Sequence, residues 1–495
     1  MSRSIPRRWL LLVLFAPLLA QAYQAESPAT PREVLSVNRY DDDAAPGSLR
    51  WAIQTANQTP GHYRIEIAAV GAAPYVIRPT SPLPDIKGPV QIIALPWASE
   101  GRYVAIDGAG YVKGEGAHAC PGAEPGQYGA NVRTTTLPGL VVRDTQQVEL
   151  SGLEIRNFCI GVLINRSSGN DLHDNRIVAN KGGAGVMLTG DDGSGQSTAT
   201  TTVHNRIVRN TFLDNGDGLE LTRGAAWNLI ADNLFRSTDA NPEPSQGIEI
   251  LWGNDNMVVH NRFENYSDGL QINWGNRNYI AANVFTGNSN GVSITGSDNV
   301  VDGNTITGNA IGIAVRPQPT SQADRFSANL IYGNGLKIKR CEAGGACVPG
   351  QRLGAIVFGV PGLEHASFVG SRGGGVDNDP AKRAQICSQQ VHENCQPAPN
   401  HGQVAPRLRV VQAGEVVGEI AGHPGQNVRI ELFGNRAAGA DEAELYLDAV
   451  PVEIGADGVG HFRYRLQATG LRTVTATATS ADGATSPLSA PLALH

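Results

Sequence analysis

From Asp171 to Gly335 the chain keeps restating one phrase. A short apolar run ends in Asn, two apolar residues follow, and a second Asn comes a few places later. A Gly-apolar-x-apolar run closes the unit, as in Asn278 to Ile294 and Asn299 to Val315. Strand-length apolar pieces repeating at a period of a little over twenty residues are the mark of a solenoid, and in its β-rich form of a parallel β-helix. In such a coil each rung contacts only its neighbours, so residues one period apart lie on top of one another.

The composition agrees with strands and tight turns rather than helices. The 495 residues include 59 Gly, with 17% charged and 6% aromatic residues. Net charge is −7 and no basic block occurs, which argues against nucleic acid as a partner, because phosphate binding needs clustered positive charge. Residues 1–22 read as a secretory signal peptide. Arg3, Arg7 and Arg8 precede the apolar stretch Trp9 to Ala20, and Ala20, Gln21 and Ala22 form a small-x-small cleavage site. That stretch is too short for a stable membrane span. The expected location is therefore secreted or periplasmic, with no span left after signal removal.

Six cysteines in an exported chain suggest disulfides. Closeness in sequence favours Cys341–Cys347 and Cys387–Cys395, leaving Cys120–Cys159, among the 15 connectivities that six cysteines allow.

Residues 23–140 are expected to hold the N-terminal cap and first coils, opening with a strand at Val34 to Val37. Leu49, Ala52, Ile53 and Ala56 fall at i, i+3, i+4, i+7, one apolar stripe of a helix. Ser48 suits its N-cap and Asn57 its stop. Such a helix covers the open edge of the first rung. The repeats occupy 141–335. Residues 336–405 break the period and hold four of the cysteines, which suggests a cap and linker. Residues 406–495 alternate apolar and polar residues between Asp-Gly turns at Asp457 and Asp482, the pattern of a small β-sandwich.

The stretch Gly47 to Asn57, the Ser-Pro-Leu-Pro at Ser81 to Pro84 with Ile106, Asp107 and Gly108, and the tail Gly418 to Phe433 with Val474 to Thr479 carry a resemblance. The chain resembles secreted bacterial right-handed parallel β-helix repeat proteins of pectate-lyase-like architecture with a C-terminal β-sandwich-like module. The resemblance implies the architecture over most of the chain. It leaves activity open, because such proteins include carbohydrate-active enzymes and adhesins. The paired-Asp motifs of the polygalacturonase group and the Asp-Pro-His-Asp of alginate epimerases are absent.

Stacking the rungs predicts two Asn columns that bond along the coil. One is Asn175, Asn205, Asn233, Asn261, Asn283, Asn304 and Asn329. The other is Asn180, Asn210, Asn265, Asn288, Asn309 and Asn334. The Gly-apolar-x-apolar strands predict an outward column Leu163, Met187, Glu220, Glu249, Gln271, Ser293 and Ala314. Two places on runs a second column, from Asn165 through Thr222, Leu251 and Asn273 to Arg316. Before the Gly runs a third: Ile160, Ala184, Asp217, Gln246, Asp268, Asn290 and Ile311. Polar residues gather in the middle rungs and apolar ones at both ends.

Asp217, Glu220, Glu249 and Asp268 are thus the candidate catalytic residues. Glu220 and Glu249 should be neighbours across one strand spacing, and two carboxylates that close cannot both ionise freely. Acid and base side by side suit glycosidic cleavage. Trp252 and Trp274 share one place on adjacent rungs, with Arg223 one rung earlier. With Gln271, Asn273 and Arg277 they make a candidate substrate-binding set, the Arg holding a carboxylate or stacking on Trp252. The same residues could equally be solvated carboxylates and an aromatic pair that steadies a turn. Long insertions at 191–201 and 237–245 flank these rungs and suit a binding wall.

His173, His204 and His260, with Arg176, Arg206 and Arg262, offer a base and a cation for lyase chemistry, although turn-facing surface residues explain them as well. Asp191 to Gly195 could hold calcium through oxygen donors. No other cofactor is expected. The function expected from sequence is an exported glycoside hydrolase acting on a polysaccharide or cell-surface glycan. A polysaccharide lyase and a non-catalytic glycan-binding or adhesive protein are the alternatives.

Overall fold

The structure is a computed structural model. It describes residues 32–494 apart from 72, 95–102, 114–119, 121–136, 182, 192–198, 242–243, 316–320, 336–355, 359–398 and 413. Its body is a parallel β-solenoid whose strands pair into three long sheets of 11, 10 and 9 strands. Each rung contributes one strand to each sheet, as in Met257–Val259, Arg262–Glu264 and Asp268–Asn273. The third sheet holds the Gly-apolar-x-apolar strands. Its inward residues, such as Leu219, Leu221, Ile248, Ile250, Leu270 and Ile272, have no exposed surface.

The helix α1 spans Leu49–Gln58 and buries Leu49, Ala52, Ile53 and Ala56. Ser48 caps it by accepting from Trp51 N at 3.1 Å. It ends one residue beyond Asn57, whose amide instead clasps Asp85 O and Lys87 N. A single strand, Glu33–Val37, starts the first sheet. At the far end, strands from 407 to 493 form a three-stranded and a four-stranded antiparallel sheet around a core of their own.

The asparagines form three ladders, not two. Each corner of the coil carries its own, and in each an Asn takes a hydrogen bond from the backbone N–H and side-chain amide of the Asn one rung before. The expected columns misplace Asn205, Asn210 and Asn265. Asn205 follows Asn170, Asn210 follows Asn175 and Asn215 follows Asn180, each 35 residues on, because the insertion near 191–201 lengthens that rung. Asn265 lies outside the ladder. Tyr266 takes that place, donating its N–H to Asn288 Oδ1 at 2.9 Å. Inside the second sheet, Phe212, Phe235, Phe263 and Phe285 stack with centroids 4.4, 4.9 and 4.7 Å apart.

Cys120 and Cys159 are joined. The other two expected disulfides, the signal peptide, Arg316, and most of the calcium-binding stretch and of the 336–405 cap lie outside the described residues. No helix among the described residues is long and apolar enough to cross a membrane.

Candidate functional site

The outward columns lie where the period places them. Met187 pairs with Glu220, Glu220 with Glu249, Glu249 with Gln271, and Gln271 with Ser293. Towards the N-terminal end the same columns turn apolar, and Val141, Ile160, Leu163, Ala184 and Met187 pack as one cluster. The middle of the column is polar yet closed from solvent. Glu220 is 1% and Glu249 9% exposed, while Asp217 is half-buried.

Asp217, Glu220 and Glu249 bring carboxylate oxygens within 4.8 Å of one another. Asp217 comes from the strand start and the two Glu from its middle, so adjacent rungs are enough to close the trio. Asp268 is not part of it. It stands one rung on, fully buried, where Gln271 Nε2 donates to Oδ2 at 3.0 Å and Asn290 Nδ2 to Oδ1 at 2.5 Å. From there a chain of amides reaches back to the trio. Asn273 Nδ2 donates to Gln271 Oε1 at 2.7 Å and to Glu249 Oε1 at 2.9 Å. Gln246 Nε2 donates to Gln271 Oε1 at 3.3 Å, and Gln246 N to Asp217 Oδ1 at 3.0 Å. Asp268, Gln271, Asn273 and Gln246 thereby orient the carboxylates of Asp217 and Glu249. Gln246 belongs to this network although sequence reasoning left it out of the site. Its signal was its place in the column between Asp217 and Asp268.

Trp252 and Trp274 stack with centroids 4.9 Å apart and 16° between planes, and the Arg223 guanidinium lies 3.9 Å over Trp252. Arg277 does not join them. It is exposed and clamps Asp255 through two hydrogen bonds of 2.7 and 2.8 Å.

The residues suggested for a lyase are committed elsewhere. His173 lies between Glu149 and Asp174, which raise its pKa. Arg176 pairs with Glu154, Arg206 faces Asp171 at 3.9 Å, and Arg262 pairs with Glu264. His204 stacks on Trp227, and His260 faces Asp232. Apart from His204, which lies just before the first-sheet strand Arg206–Val208, these residues sit on or between the first two sheets, away from the acids of the third.

The trio offers only oxygen donors, the set that suits hard cations such as magnesium, calcium or manganese. Copper would call for imidazole or sulfur. Among the described residues of 129–231, His173 and His204 are engaged as above, Cys159 is in the disulfide and Met187 is in the apolar cluster.

The family described as a right-handed beta helix region matches residues 197–350, and that described as the periplasmic copper-binding protein NosD matches 129–231. The donor set does not fit the copper in the second description. Solved structures similar to this chain include an alginate lyase from a Paenibacillus species and an exopolygalacturonase from Thermotoga maritima. The first is 12% identical over 61% of this chain and 97% of that one, with TM-score 0.42. The second is 11% identical over 65% and 92%, also with TM-score 0.42. The 3-dehydroshikimate dehydratase of Acinetobacter baylyi is 56% identical over 465 residues, which is 94% of this chain and 95% of that one. This corrects the function expected from sequence. A relative so similar over nearly its whole length is named for a dehydration of 3-dehydroshikimate, not for hydrolysis, cleavage or adhesion of a polysaccharide. The chain belongs to the β-helical enzyme family of that dehydratase.

Proposed function

We propose that this protein removes water from 3-dehydroshikimate, with Asp217, Glu220 and Glu249 moving the protons. The substrate ring carries a ketone, hydroxyls on the next two carbons, and a carboxylate on its double bond. A base takes the proton from the carbon beside the ketone. The enolate expels the hydroxyl on the following carbon, which leaves as water with a proton from an acid. A second ring proton is then lost and one returns to the ketone oxygen, leaving a dihydroxybenzoate. One water is released and no oxidant is needed.

The observation that carries this reading is the convergence of the three carboxylates within 4.8 Å, largely shielded from solvent. Carboxylates in one site whose environments differ can divide the roles of base and acid. The amide chain ending on Glu249 supports it by holding that group in place. We also place the reaction outside the cytoplasm. The signal-like residues 1–22, the Cys120–Cys159 disulfide and the periplasmic description of a matching family support that.

The test is to incubate the purified protein with 3-dehydroshikimate, follow catechol absorbance and identify the product by mass. Wild type should form dihydroxybenzoate. Glu220→Gln and Glu249→Gln should each lower kcat by roughly a hundredfold or more, with unchanged circular dichroism. A folded wild type that leaves the compound intact overturns the reading.

A further inference from the structure

We propose that Arg223 is the anchor for the substrate's carboxylate and makes the site select a ring acid over a neutral ring; this rests on the dehydratase reading above. Arg223 follows Glu220 by three residues, as Trp252 follows Glu249 and Trp274 follows Gln271. The column Arg223–Trp252–Trp274 therefore runs along the corner that ends the strands carrying Glu220, Glu249 and Gln271.

Most other arginines near this part of the coil are spent on carboxylates. Arg166, at the same corner earlier in the coil, is clamped on Asp144 at 2.7 and 2.8 Å. Arg236 is paired with Glu264 and Arg277 with Asp255. Among the described residues the Arg223 guanidinium has its face on Trp252 and neither an ion pair nor a hydrogen bond. A guanidinium stacked this way keeps its N–H edge for a planar, bidentate acceptor, which a carboxylate is.

Trp252 and Trp274 have φ of 62° and 56°, the left-handed turn that Arg166 also adopts at this corner, so the corner's own geometry sets the direction in which the stacked rings leave the coil.

Charge makes the same demand. Three carboxylates repel an anionic substrate unless a cation stands close by. In 3-dehydroshikimate the carboxylate and the carbon that loses its proton are on opposite sides of the six-membered ring. A cation beside the acids rather than among them therefore suits the reaction.

The experiment measures kcat and KM on 3-dehydroshikimate and on its methyl ester for wild type, Arg223→Gln and Arg223→Lys. Arg223→Gln should raise KM for the acid by roughly tenfold or more and leave kcat within about threefold of wild type. Arg223→Lys should recover only part of the loss, because an ammonium cannot offer the paired edge. The ester should be handled alike by all three proteins. Equal KM values for the acid in folded variants, or an unchanged preference for acid over ester, overturn the proposal.

Titration with dihydroxybenzoate, read by tryptophan fluorescence with Trp252→Phe as control, gives a readout independent of turnover. Quenching that needs Arg223 supports the anchor even if wild type shows no dehydration. Quenching that persists in Arg223→Gln, or none in any of these proteins, counts against it.

Discussion

Asp324 shows how much one atom matters in a stacked fold. It occupies an Asn place in a ladder, accepting from Asn299 N and Nδ2 at 3.0 Å, and is fully buried. Burial pushes its carboxyl well above the usual range, against the pull of the Asn299 donors. Its Oδ2 has no hydrogen-bond partner among the described residues. A group neutral when folded and ionised when unfolded favours the fold only at low pH. That contribution falls away as pH rises from about 4 towards the raised pKa. Asp324→Asn should therefore raise Tm by roughly 2 °C or more at pH 7, with a smaller gain at pH 5, as scanning calorimetry at both values would show. A variant no more stable at pH 7 would mean that the carboxyl costs the fold nothing. At this scale the sequence told a good deal. Glu220 and Glu249 were legible as neighbours because a fixed period converts spacing into contact. Arg277 was not, since whether an Arg meets substrate or a neighbouring Asp depends on which way a corner points.

Within one rung, the Gly before each apolar-x-apolar run has a steric cause. A Cβ on Gly247 would lie 2.5 Å from Gly269 O and 2.7 Å from Phe263 Cδ1. The strand of the third sheet can therefore start close to the aromatic stack only if that side chain is missing. Gly247→Ala should cost about 1–3 kcal/mol and Phe263→Ala about 3–5 kcal/mol, both measured by urea denaturation. Gly247→Ala should also lower activity, because Gln246 and Glu249 share its strand. Stability equal to wild type in both variants would refute the packing argument. The strands and their alternation were readable from the Gly-apolar-x-apolar pattern. The phenylalanine stack was present in the sequence as well, but only the rung register aligns residues separated by 23, 28 and 22 positions.

Across the whole molecule, the C-terminal module closes the open end of the coil. Asn400 extends a ladder across 76 residues, accepting from Asp324 N at 2.9 Å and donating to Asp324 O and Thr485 O, each at 2.8 Å. Buried Glu431 takes hydrogen bonds from Ser327 Oγ and Ala328 N at 2.8 Å. These contacts satisfy edge groups that would otherwise recruit other strands. Asn400→Ala should cost on the order of 2 kcal/mol and increase self-association, seen by urea denaturation and by size-exclusion chromatography after mild heating. An unchanged midpoint would show that the cap holds without it. From the sequence alone follow the coil, its helical cap, the outward acid column and the stacked tryptophans, since each repeats at the interval of one rung, and a parallel stack turns intervals into neighbours. Only the folded chain decides which acids converge, which amides hold them, which cations are already spent and which ladder each Asn joins. Those depend on corners and insertions of unequal length, and one longer rung is enough to shift every later residue by a place that periodicity cannot count.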